Sequence, residues 1–594
     1  MTTVAIVGLG SRGLGVLERI VTLAKRRGPA GGPVRVEVVD PTCSGAGVHD
    51  RTQPDYLLLN TTAGQVSMFP DAATVGDDVD APGPTLHEWV TARGLRLAAD
   101  GFTVGSTGRP VRPTDFLPRR VLGDYLAWVR DEVARRAPSH VDIRWHRAEA
   151  VDLDPARFEL TLSTRQRVRA DHVFLTTGYT ANTVVDLTPD GPRRTAAPYP
   201  LPERVAAVGP GETAAVAGFG LSAMDVMSCL TVGRGGRFVA DGDGLRYRPS
   251  GREPALLFLS RSGLPCRARP RTVEFGPPYR PIAFTTAAVD AVRRARGGPL
   301  DFAADVLPLV LTEIRVGYRR AQARLAGTAA ALEADLAADV AGTLDRLDAE
   351  LDRFDAAEAL TGTAGMLLDG PDAYQKWLAE TLRADLAEGL LGFAGSPVKA
   401  GLDVLRELRD TFRYVVDFGG LTAASLDDFT VRTIPALNRA VVGPQWERHA
   451  ELLALLAAGV ARAPFGPDPA VTATGGRWTI ASTRLAEPYA AEVDWVVAAH
   501  VELPAVDSSA SPLIAALHRR GVLRPHRPDS RWVRGVDVDR DQHPLDATGR
   551  PDPRMSVLGP LCEGATFYNN LVPSPQVHSR PVHDAHRCVT AALG

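Results

Sequence analysis

Two glycine-rich turns, each between an apolar run and a helix-like run, constrain what this chain of 594 residues can fold into. The first turn runs from Gly8 to Gly13 and the second from Gly218 to Asp225. Glycines at these spacings let a pyrophosphate approach the backbone and let the following helix pack closely on the strand. The pair of turns therefore predicts two dinucleotide-binding folds, with electrons passing between their cofactors.

The first turn lies between two strand-like runs in the order that a nucleotide-binding unit requires. Val4–Val7 is typical of a buried parallel strand, and the helix expected from Leu14 to about Arg27 points its N-terminus at bound phosphates. A second strand, Val34–Val39, ends at Asp40, whose carboxylate suits ribose hydroxyls. By analogy with two-dinucleotide flavoproteins, which open with their FAD half, this turn predicts an FAD site. The residues predicted to bind FAD here are Gly8, Gly10, Ser11, Arg12, Gly13 and Asp40.

The second turn is followed by a different strand end. Ser222 and Ala223 stand where a third glycine would be, and small residues still permit close packing of the helix on the strand. The next apolar run, Leu256–Leu259, is followed by Arg261 between two serines instead of by an acid. An arginine here suits the 2′-phosphate of NADPH, although a solvated arginine gives the same pattern and leaves NADH open. The residues predicted to bind NADPH are Gly218, Gly220, Leu221, Ser222, Ala223, Arg261 and Ser262.

Later segments are expected to return to the flavin. Residues 171–179 indicate a strand ending in a small-residue turn, and residues 493–500 a weaker copy that closes the second domain. Residues 557–570 predict a last strand and the helix leading from it, and residues 55–71 a loop of hydrogen-bonding groups. Amides in such a loop either contact the flavin ring or satisfy the loop's own backbone. The further FAD candidates are Asn60, Gln65, Thr177, Gly178, Gly559, Thr566 and Asn569.

The middle of the chain has helical spacing and is rich in Ala, Leu, Arg, Asp and Glu. Leu344–Phe354 and Tyr374–Leu391 are examples of predicted helices. A helical insertion of this kind can form a wall over a flavin, where bases would hold a substrate carboxylate. The alternative is that these bases pair with neighbouring acids on helix surfaces. The candidate bases are Lys399, Arg406, Arg409, Arg413 and Arg439.

These patterns predict an α/β chain with two Rossmann-like dinucleotide-binding domains and a large α-helical insertion. The predicted FAD domain is discontinuous and comprises residues 1–205 and 506–594. The predicted NADPH domain comprises residues 206–280 and 456–505, and the substrate or lid insertion spans residues 281–455.

Composition excludes several other classes of protein. The net charge is −3, which gives no electrostatic signature of nucleic acid binding or of an anionic membrane surface. The 5 cysteines are scattered without a CxxC pair, so we expect no metal site and a reducing, cytoplasmic location. The longest apolar stretch, near Leu452–Val460, is too short to cross a bilayer. A homo-oligomer remains possible on this evidence.

Several stretches besides the turns carry a resemblance to a known family: Thr114–Tyr125, Leu259–Pro265, Ser396–Arg413 and Gly559–Asn570. With them, the chain resembles the FAD/NAD(P)-binding proteins of actinobacterial biosynthetic clusters, especially the nitrosuccinate synthases, which N-oxygenate aspartate. It is more distantly similar to the flavin N-hydroxylases of ornithine and lysine.

The resemblance implies a biosynthetic flavin monooxygenase that uses FAD, NADPH and O₂. It implies that a flavin C4a-hydroperoxide transfers oxygen to the amino group of a small amino acid, with L-aspartate to nitrosuccinate as the favoured reaction. Because the flavin carries this chemistry, no catalytic triad or metal cluster is needed. Two alternatives stay open: a monooxygenase or oxidase of the same fold acting on another metabolite, and a flavoprotein subunit without catalysis.

Overall fold

The structure is a computed structural model that describes the chain except residues 80–81, 184–190, 275, 277, 364, 528, 531 and 576–577. The chain divides into two compact units. Unit 1 comprises Met1–Val184, Val416–Gly420 and Glu502–Gly594, and unit 2 comprises Val185–Val415 and Leu421–Val501. Most of the predicted helical insertion thus belongs to the same unit as the second glycine turn. The predicted domain boundaries remain predictions.

Unit 1 is built on a five-stranded parallel sheet whose central strand leads into the first glycine turn. Thr2–Val7 pairs in parallel with Val34–Asp40 on one side and with His172–Leu175 on the other. Val141–Arg147 and Met555–Val557 form the two edges. The strands predicted on both sides of the first turn are therefore confirmed.

Residues of the central strand alternate between two cores, as the period of a β-strand requires. Val4 and Ile6 pack in a core with helix Ser11–Arg27, whereas Ala5 and Val7 pack in a second core with an antiparallel meander. The other helices of unit 1 are Ala72–Val75, Leu86–Ala92, Arg119–Arg136, Pro512–Arg519 and Arg580–Leu593. The meander strands are Ala150–Asp154, Glu159–Leu162 and Arg167–Arg169, and the short strands are Leu58–Thr62, Arg96–Leu97, Val104–Gly105, Arg109–Pro110 and Phe116–Pro118.

Unit 2 has the same arrangement around the second glycine turn. Thr213–Ala217 leads into the turn and pairs in parallel with Ala255–Leu259 and with Trp495–Ala498. Arg194–Thr195 and Ala461–Arg462 are the edge strands of this five-stranded parallel sheet. The prediction of two Rossmann-like folds is confirmed, and each glycine turn follows the strand at the centre of its sheet.

Helices make up most of the remainder of unit 2, as predicted for residues 281–455. No helix among the described residues is long and apolar enough to span a membrane. The helices are Leu221–Leu230, Thr286–Arg296, Leu307–Ala326, Ala329–Ala338, Val340–Glu350, Ala356–Thr361, Pro371–Gly395, Pro397–Glu407, Arg409–Val416, Ala423–Asp428, Ile434–Val441 and Trp446–Ala457. The remaining strands are Arg237–Asp241, Gly244–Arg248, Ala470–Thr474, Arg477–Ala481 and Ala490–Val493.

One predicted helix is wrong at its end. The apolar spacing of Leu344–Phe354 predicts a continuous helix, but the helix is Val340–Glu350, and Leu351 caps its C-terminus with an exposed side chain. Phe354 instead stacks on the ring of Tyr318, with the ring centroids 3.9 Å apart. A tertiary aromatic contact therefore replaces the last turn that helical periodicity predicts.

The packing at the first turn makes Gly13 intolerant of a side chain. A Cβ on Gly13 would lie 2.1 Å from the carbonyl oxygen of Gly8, so the backbone itself would have to move. We expect Gly13→Ala to lower the free energy of unfolding by about 1–3 kcal/mol and to reduce the flavin content of the purified protein. Chemical unfolding and the flavin absorbance at a fixed protein concentration measure the two effects.

Gly15, on the same helix, is the matched control. A Cβ on Gly15 meets nothing within 4 Å, and alanine is favoured over glycine inside a helix by about 0.5–1 kcal/mol. Gly15→Ala is therefore expected to leave the flavin content unchanged and to keep or raise stability. Equal behaviour of the two variants would contradict the steric argument.

Candidate functional site

The first glycine turn is closed towards the sheet and open at the start of its helix. Gly8 has a φ of +94°, and a Cβ there would lie 2.7 Å from the carbonyl oxygen of Thr176. Gly10 caps helix Ser11–Arg27, and a Cβ on it would meet only ordinary contact at 3.7 Å. Backbone N–H groups at a helix start lack intrahelical partners and attract phosphate. The turn therefore fits the pyrophosphate of a dinucleotide.

Asp40 braces this turn from the end of the second strand. One carboxylate oxygen accepts the amide of Leu9 at 2.9 Å, and the other accepts the amides of Thr42 and Cys43. The latter oxygen also accepts the Thr42 hydroxyl at 2.9 Å, whereas the oxygen bound by Leu9 accepts that amide alone among the described residues. A carboxylate oxygen has about two acceptor positions, so the oxygen beside Leu9 keeps capacity for a ribose hydroxyl. The structure thus gives Asp40 a structural role in addition to the one predicted from its position.

Thr176 and Thr177 follow the strand that pairs with Thr2–Val7. The Thr176 hydroxyl donates to the carbonyl oxygen of Gly8 at 2.6 Å and so holds the glycine turn. The Thr177 hydroxyl is buried and has no hydrogen-bond partner among the described residues. Gly178 has a φ of +69° with open space around it. An unpaired buried hydroxyl beside a backbone cradle is what a bound polar group would satisfy.

The C-terminal candidates meet the first turn directly. The Arg12 guanidinium donates to the carbonyl oxygen of Asn569 at 2.6 Å, and a Cβ on Gly559 would lie 3.0 Å from the Arg12 side chain. Thr566 is buried and donates to the carbonyl oxygen of Cys562 at 3.2 Å. The fold thus brings Arg12, Gly559 and Asn569 together.

The helix predicted within residues 557–570 is wrong. After the strand Met555–Val557 the chain makes the 3₁₀ turn Pro560–Cys562 and then continues without a helix to residue 575. Glu563 organises this segment, because its carboxylate accepts the amides of Tyr568 and Asn569, each at 2.8 Å. Burial raises the pKa of Glu563, although these amide hydrogen bonds lower it. Side-chain contacts of this kind replace helical hydrogen bonds.

A short segment of the helical region belongs to unit 1 and supports the same loop. The Asp417 carboxylate accepts the amide of Phe567 at 2.7 Å and lies 2.8 Å from the Arg580 guanidinium. The amide of Phe418 donates to the carbonyl oxygen of Ala565 at 2.8 Å. Sequence analysis missed these residues, because nothing local links residues so far apart in the chain.

Asn60 and Gln65 lie in the segment that was expected to be a loop. Asn60 lies on the strand Leu58–Thr62, which pairs with Phe116–Pro118, so part of the expected loop is regular structure. Gln65 ends a 3₁₀ turn, and its side-chain carbonyl accepts the hydroxyl of Thr62 at 3.0 Å. Their predicted contact with a flavin ring stays a prediction.

The second glycine turn has the same steric design as the first. Gly218 has a φ of +150°, and a Cβ there would lie 2.5 Å from the carbonyl oxygen of Ala499. Gly220 caps helix Leu221–Leu230, and Ala223 in its first turn is completely buried. The Ser222 hydroxyl lies 3.4 Å from the hydroxyl of Tyr199. Close packing therefore requires small residues at Gly218 and Ala223.

The predicted 2′-phosphate residues follow the neighbouring strand Ala255–Leu259. Arg261 is exposed, and the Ser262 hydroxyl accepts the amide of Leu264 at 3.2 Å. The Ser260 hydroxyl is buried without a hydrogen-bond partner in the described part of the chain. A cradle, an exposed arginine and an unsatisfied hydroxyl together fit an anionic nucleotide.

The substrate candidate Lys399 lies in a buried cationic cluster in unit 2, here defined as Arg267, Asp385, Lys399, Arg439 and His449. The Lys399 ammonium donates to Asp385 at 2.7 Å and to the carbonyl oxygen of Ala268 at 2.9 Å. Asp385 also accepts the Ala268 amide and the Arg267 guanidinium at 3.0 Å. Lys399 and Asp385 therefore bind both backbone polar groups of Ala268.

Asp385 is ionised in this cluster. Burial raises the pKa of its carboxyl group, but the neighbouring Lys399 and Arg267 lower it, and the net shift is downward. Burial also lowers the pKa of His449 to about 4, so the imidazole is neutral. The cluster therefore has a central carboxylate that accepts hydrogen bonds from the basic side chains of Lys399 and Arg267.

The other candidate bases have different surroundings. Arg439 donates to the carbonyl oxygen of Thr361 at 2.7 Å, and its main-chain carbonyl accepts the amide of Arg267. Arg406 pairs with Asp403 and Arg413 with Asp410, both at 2.6 Å and three residues apart. Arg409 begins helix Arg409–Val416. The structure therefore brings Lys399 and Arg439 to one cluster. Arg406 and Arg413 instead pair with neighbouring acids, as in the alternative to a substrate-binding role.

Comparisons with known proteins decide the family. A family model described as FAD-NAD(P)-binding matches residues 5–180. A nitrosuccinic acid synthase of Aspergillus oryzae is 33% identical over 99% of this chain and 92% of its own length. An L-aspartate N-monooxygenase (nitrosuccinate-forming) of Streptomyces davaonensis is 33% identical over 100% of this chain and 97% of its own length.

The chain belongs to the nitrosuccinate synthase family. This confirms the resemblance seen in the sequence. It also confirms the prediction that the chain is an oxidoreductase that binds FAD and NAD(P). Among solved structures, an ornithine N-hydroxylase of Kutzneria sp. 744 matches 99% of this chain and 98% of that chain, at 14% identity and a TM-score of 0.44.

Lys399 offers a direct test of a structural against a substrate-binding role. Removing one partner of a buried ion pair leaves an uncompensated charge and costs about 3–5 kcal/mol. We therefore expect Lys399→Met to lower the free energy of unfolding by about that amount, measured by chemical unfolding.

The exposed pair Arg432–Asp428 in the same unit is the control, since the Arg432 side chain is 81% exposed. Arg432→Met is expected to change stability by less than about 1 kcal/mol. If Lys399→Met folds with unchanged stability but no longer responds to aspartate, Lys399 binds substrate instead of holding the Ala268 peptide.

Proposed function

We propose that this protein is an FAD- and NADPH-dependent N-monooxygenase that oxidises L-aspartate to nitrosuccinate with O₂. The observation that carries the proposal is the near-full-length identity with relatives named for this reaction. At the N-cap glycines of the two turns, Gly10 and Gly220, a Cβ would meet only ordinary contacts at 3.7 and 3.6 Å. A cytoplasmic location and a homo-oligomer stay predictions.

The residues present fit both cofactors. Gly8, Gly10 and the buried Thr177 hydroxyl would hold FAD at the start of helix Ser11–Arg27. When bound, the two cofactors supply the electrons and the activation of O₂. The protein's own tasks are to bind them, exclude water and orient the amine that is oxidised.

The amine must also lose its proton before it can react as a nucleophile. A lysine-like ammonium with a pKa of about 10.4 is neutral in roughly one molecule in a few thousand near pH 7. Supplying the neutral form costs about 4–5 kcal/mol unless the site lowers that pKa. Nearby cations would lower it and would also hold the two carboxylates of aspartate.

The cationic cluster is where we propose to look for such a carboxylate contact. Arg267 and Arg439 carry guanidinium groups, and burial lowers the pKa of Lys399, whereas the carboxylates of Asp385 and Glu388 raise it. Burial lowers the pKa of Arg439, and Arg267 lowers it further. An excess of basic over acidic side chains in this cluster favours the binding of an added anion. Arg439 is the preferred candidate, because its guanidinium donates to the uncharged carbonyl oxygens of Leu360 and Thr361.

The reaction is tested with the purified, FAD-loaded protein. We expect L-aspartate to stimulate NADPH oxidation, followed by the loss of NADPH absorbance, and to yield nitrosuccinate or nitrososuccinate, identified by mass spectrometry. L-Asparagine, which lacks the second carboxylate, and succinate, which lacks the amine, are the matched control compounds. If L-aspartate changes neither NADPH consumption nor the products, the proposed substrate is wrong.

Arg261 is proposed to select NADPH over NADH. A charge-assisted hydrogen bond of about 1.5–3 kcal/mol corresponds to roughly a tenfold to hundredfold effect. Arg261→Ala should therefore raise the KM for NADPH by about that factor and leave the KM for NADH nearly unchanged. Arg246→Ala, on the exposed hairpin strand Gly244–Arg248, is the control. An equal effect on both cofactors would remove Arg261 from 2′-phosphate recognition.

A further inference from the structure

His500 lies beside the second glycine turn, at the carboxyl-terminal ends of the strands, where a dinucleotide is expected. The strand Trp495–Ala498 pairs in parallel with Thr213–Ala217, so the carboxyl ends of both strands lie on this side of the sheet. Ligands of doubly wound sheets bind in the crevice outside these carboxyl ends. Arg261 follows Ala255–Leu259 on the other side of the central strand. His500 and Arg261 therefore flank the glycine turn from opposite sides.

The hydrogen bonds of His500 define which ring nitrogen carries the proton. Nδ1 lies 3.3 Å from the main-chain carbonyl oxygen of Ala217. Because a carbonyl oxygen only accepts, Nδ1 must be the donor. In a neutral imidazole with a protonated Nδ1, Nε2 is an acceptor. Nε2 is buried and has no hydrogen-bond partner among the described residues.

The surroundings keep this imidazole neutral. Burial lowers the pKa of His500, the hydrogen bond to Ala217 raises it, and Arg261 and Arg194 lower it. The charged groups that act on His500 are these two arginines. Arg261 lies in the loop after the strand Ala255–Leu259, and Arg194 lies on the edge strand Arg194–Thr195. Nε2 is thus a buried acceptor without a donor among the described residues, an arrangement that a ligand donor would stabilise.

A nicotinamide dinucleotide carries donors of the required kind in its ribose hydroxyls, whereas its ionised phosphates only accept. In this class of fold the residue after the second strand contacts the adenosine ribose, which is the position of Arg261. The opposite flank, where His500 lies, then receives the other half of the dinucleotide. We propose that His500 Nε2 accepts a hydrogen bond from a hydroxyl of the nicotinamide ribose of NADPH. This inference rests on the proposed use of NADPH but not on aspartate as substrate.

Binding of NADP⁺ to the FAD-loaded protein tests this contact without turnover. Isothermal titration calorimetry would compare NADP⁺ with adenosine 2′,5′-bisphosphate, which lacks the nicotinamide ribose. His500→Leu is expected to weaken NADP⁺ by about fivefold to a hundredfold and to leave the bisphosphate unchanged. His500→Gln, which retains an acceptor near Nε2, is expected to recover most of the NADP⁺ affinity.

Arg261→Ala is the matched comparison, because it should weaken both ligands. His583→Leu, on an exposed histidine of unit 1, should weaken neither. An equal loss of both ligands in His500→Leu would assign His500 to the adenosine half or to the fold, and an unchanged affinity for NADP⁺ would exclude the contact. Flavin content and the thermal midpoint verify that each variant is folded.

Proton linkage separates a hydroxyl ligand from a phosphate ligand. NAD⁺ serves here because it lacks the 2′-phosphate, whose second ionisation has a pKa of about 6. A hydroxyl donor needs neutral His500, so titrations in buffers of different ionisation enthalpy should show no proton uptake near pH 7. Affinity should weaken only as the pH falls through the lowered pKa of His500, and His500→Gln should lose this dependence. Uptake of a proton on binding would indicate a phosphate and overturn the proposal.

These measurements stay informative if the proposed reaction is wrong. Failure of L-aspartate to stimulate NADPH oxidation would leave the NADP⁺ affinities measurable and the role of His500 decided. Conversely, a normal aspartate reaction combined with unchanged NADP⁺ binding in His500→Leu would overturn the inference alone.

Discussion

Close approach of backbone to backbone at the glycine turns is the constraint on which the rest of the structure depends. At the first turn, the carbonyl oxygen of Gly8 occupies the space that a side chain on Gly13 would need. The carbonyl oxygen of Thr176 likewise occupies the space that a side chain on Gly8 would need. At the second turn the carbonyl oxygen of Ala499 does the same for Gly218. Each helix can then start directly at the end of its central strand, with N–H groups directed to a ligand.

The two turns differ in what surrounds them. At the first turn, the Asp40 carboxylate accepts the amide of Leu9 within the turn and the amide of Cys43 after its own strand. Arg12 connects the helix that follows the turn to the C-terminal segment. The second turn has the exposed Arg261 on one flank and the buried His500 on the other. The first turn is therefore tied to distant parts of unit 1, whereas the second has an exposed cation and, among the described residues, an unpaired buried acceptor beside it.

Sequence patterns predicted the nucleotide folds well and the site around them less completely. Apolar β-branched runs next to glycines specify parallel strands and their turns locally, so both sheets could be predicted. The helix predicted after Met555–Val557 does not form. Instead, the Glu563 carboxylate accepts amides further along the chain, in place of helical hydrogen bonds. Asp385 could not be predicted as the partner of Lys399, since helical spacing alone does not determine which helices pack together.

The sequence by itself determined that this chain forms two strand–turn–helix nucleotide folds with a helical region, because glycine spacing and apolar periodicity act over a few residues. Only the tertiary structure decided which polar groups are satisfied. It paired Lys399 with Asp385 and left the Nε2 of His500 and the hydroxyl of Thr177 without partners among the described residues. Whether a buried polar group has a partner depends on residues distant in the chain, and that is the property from which a binding site is recognised.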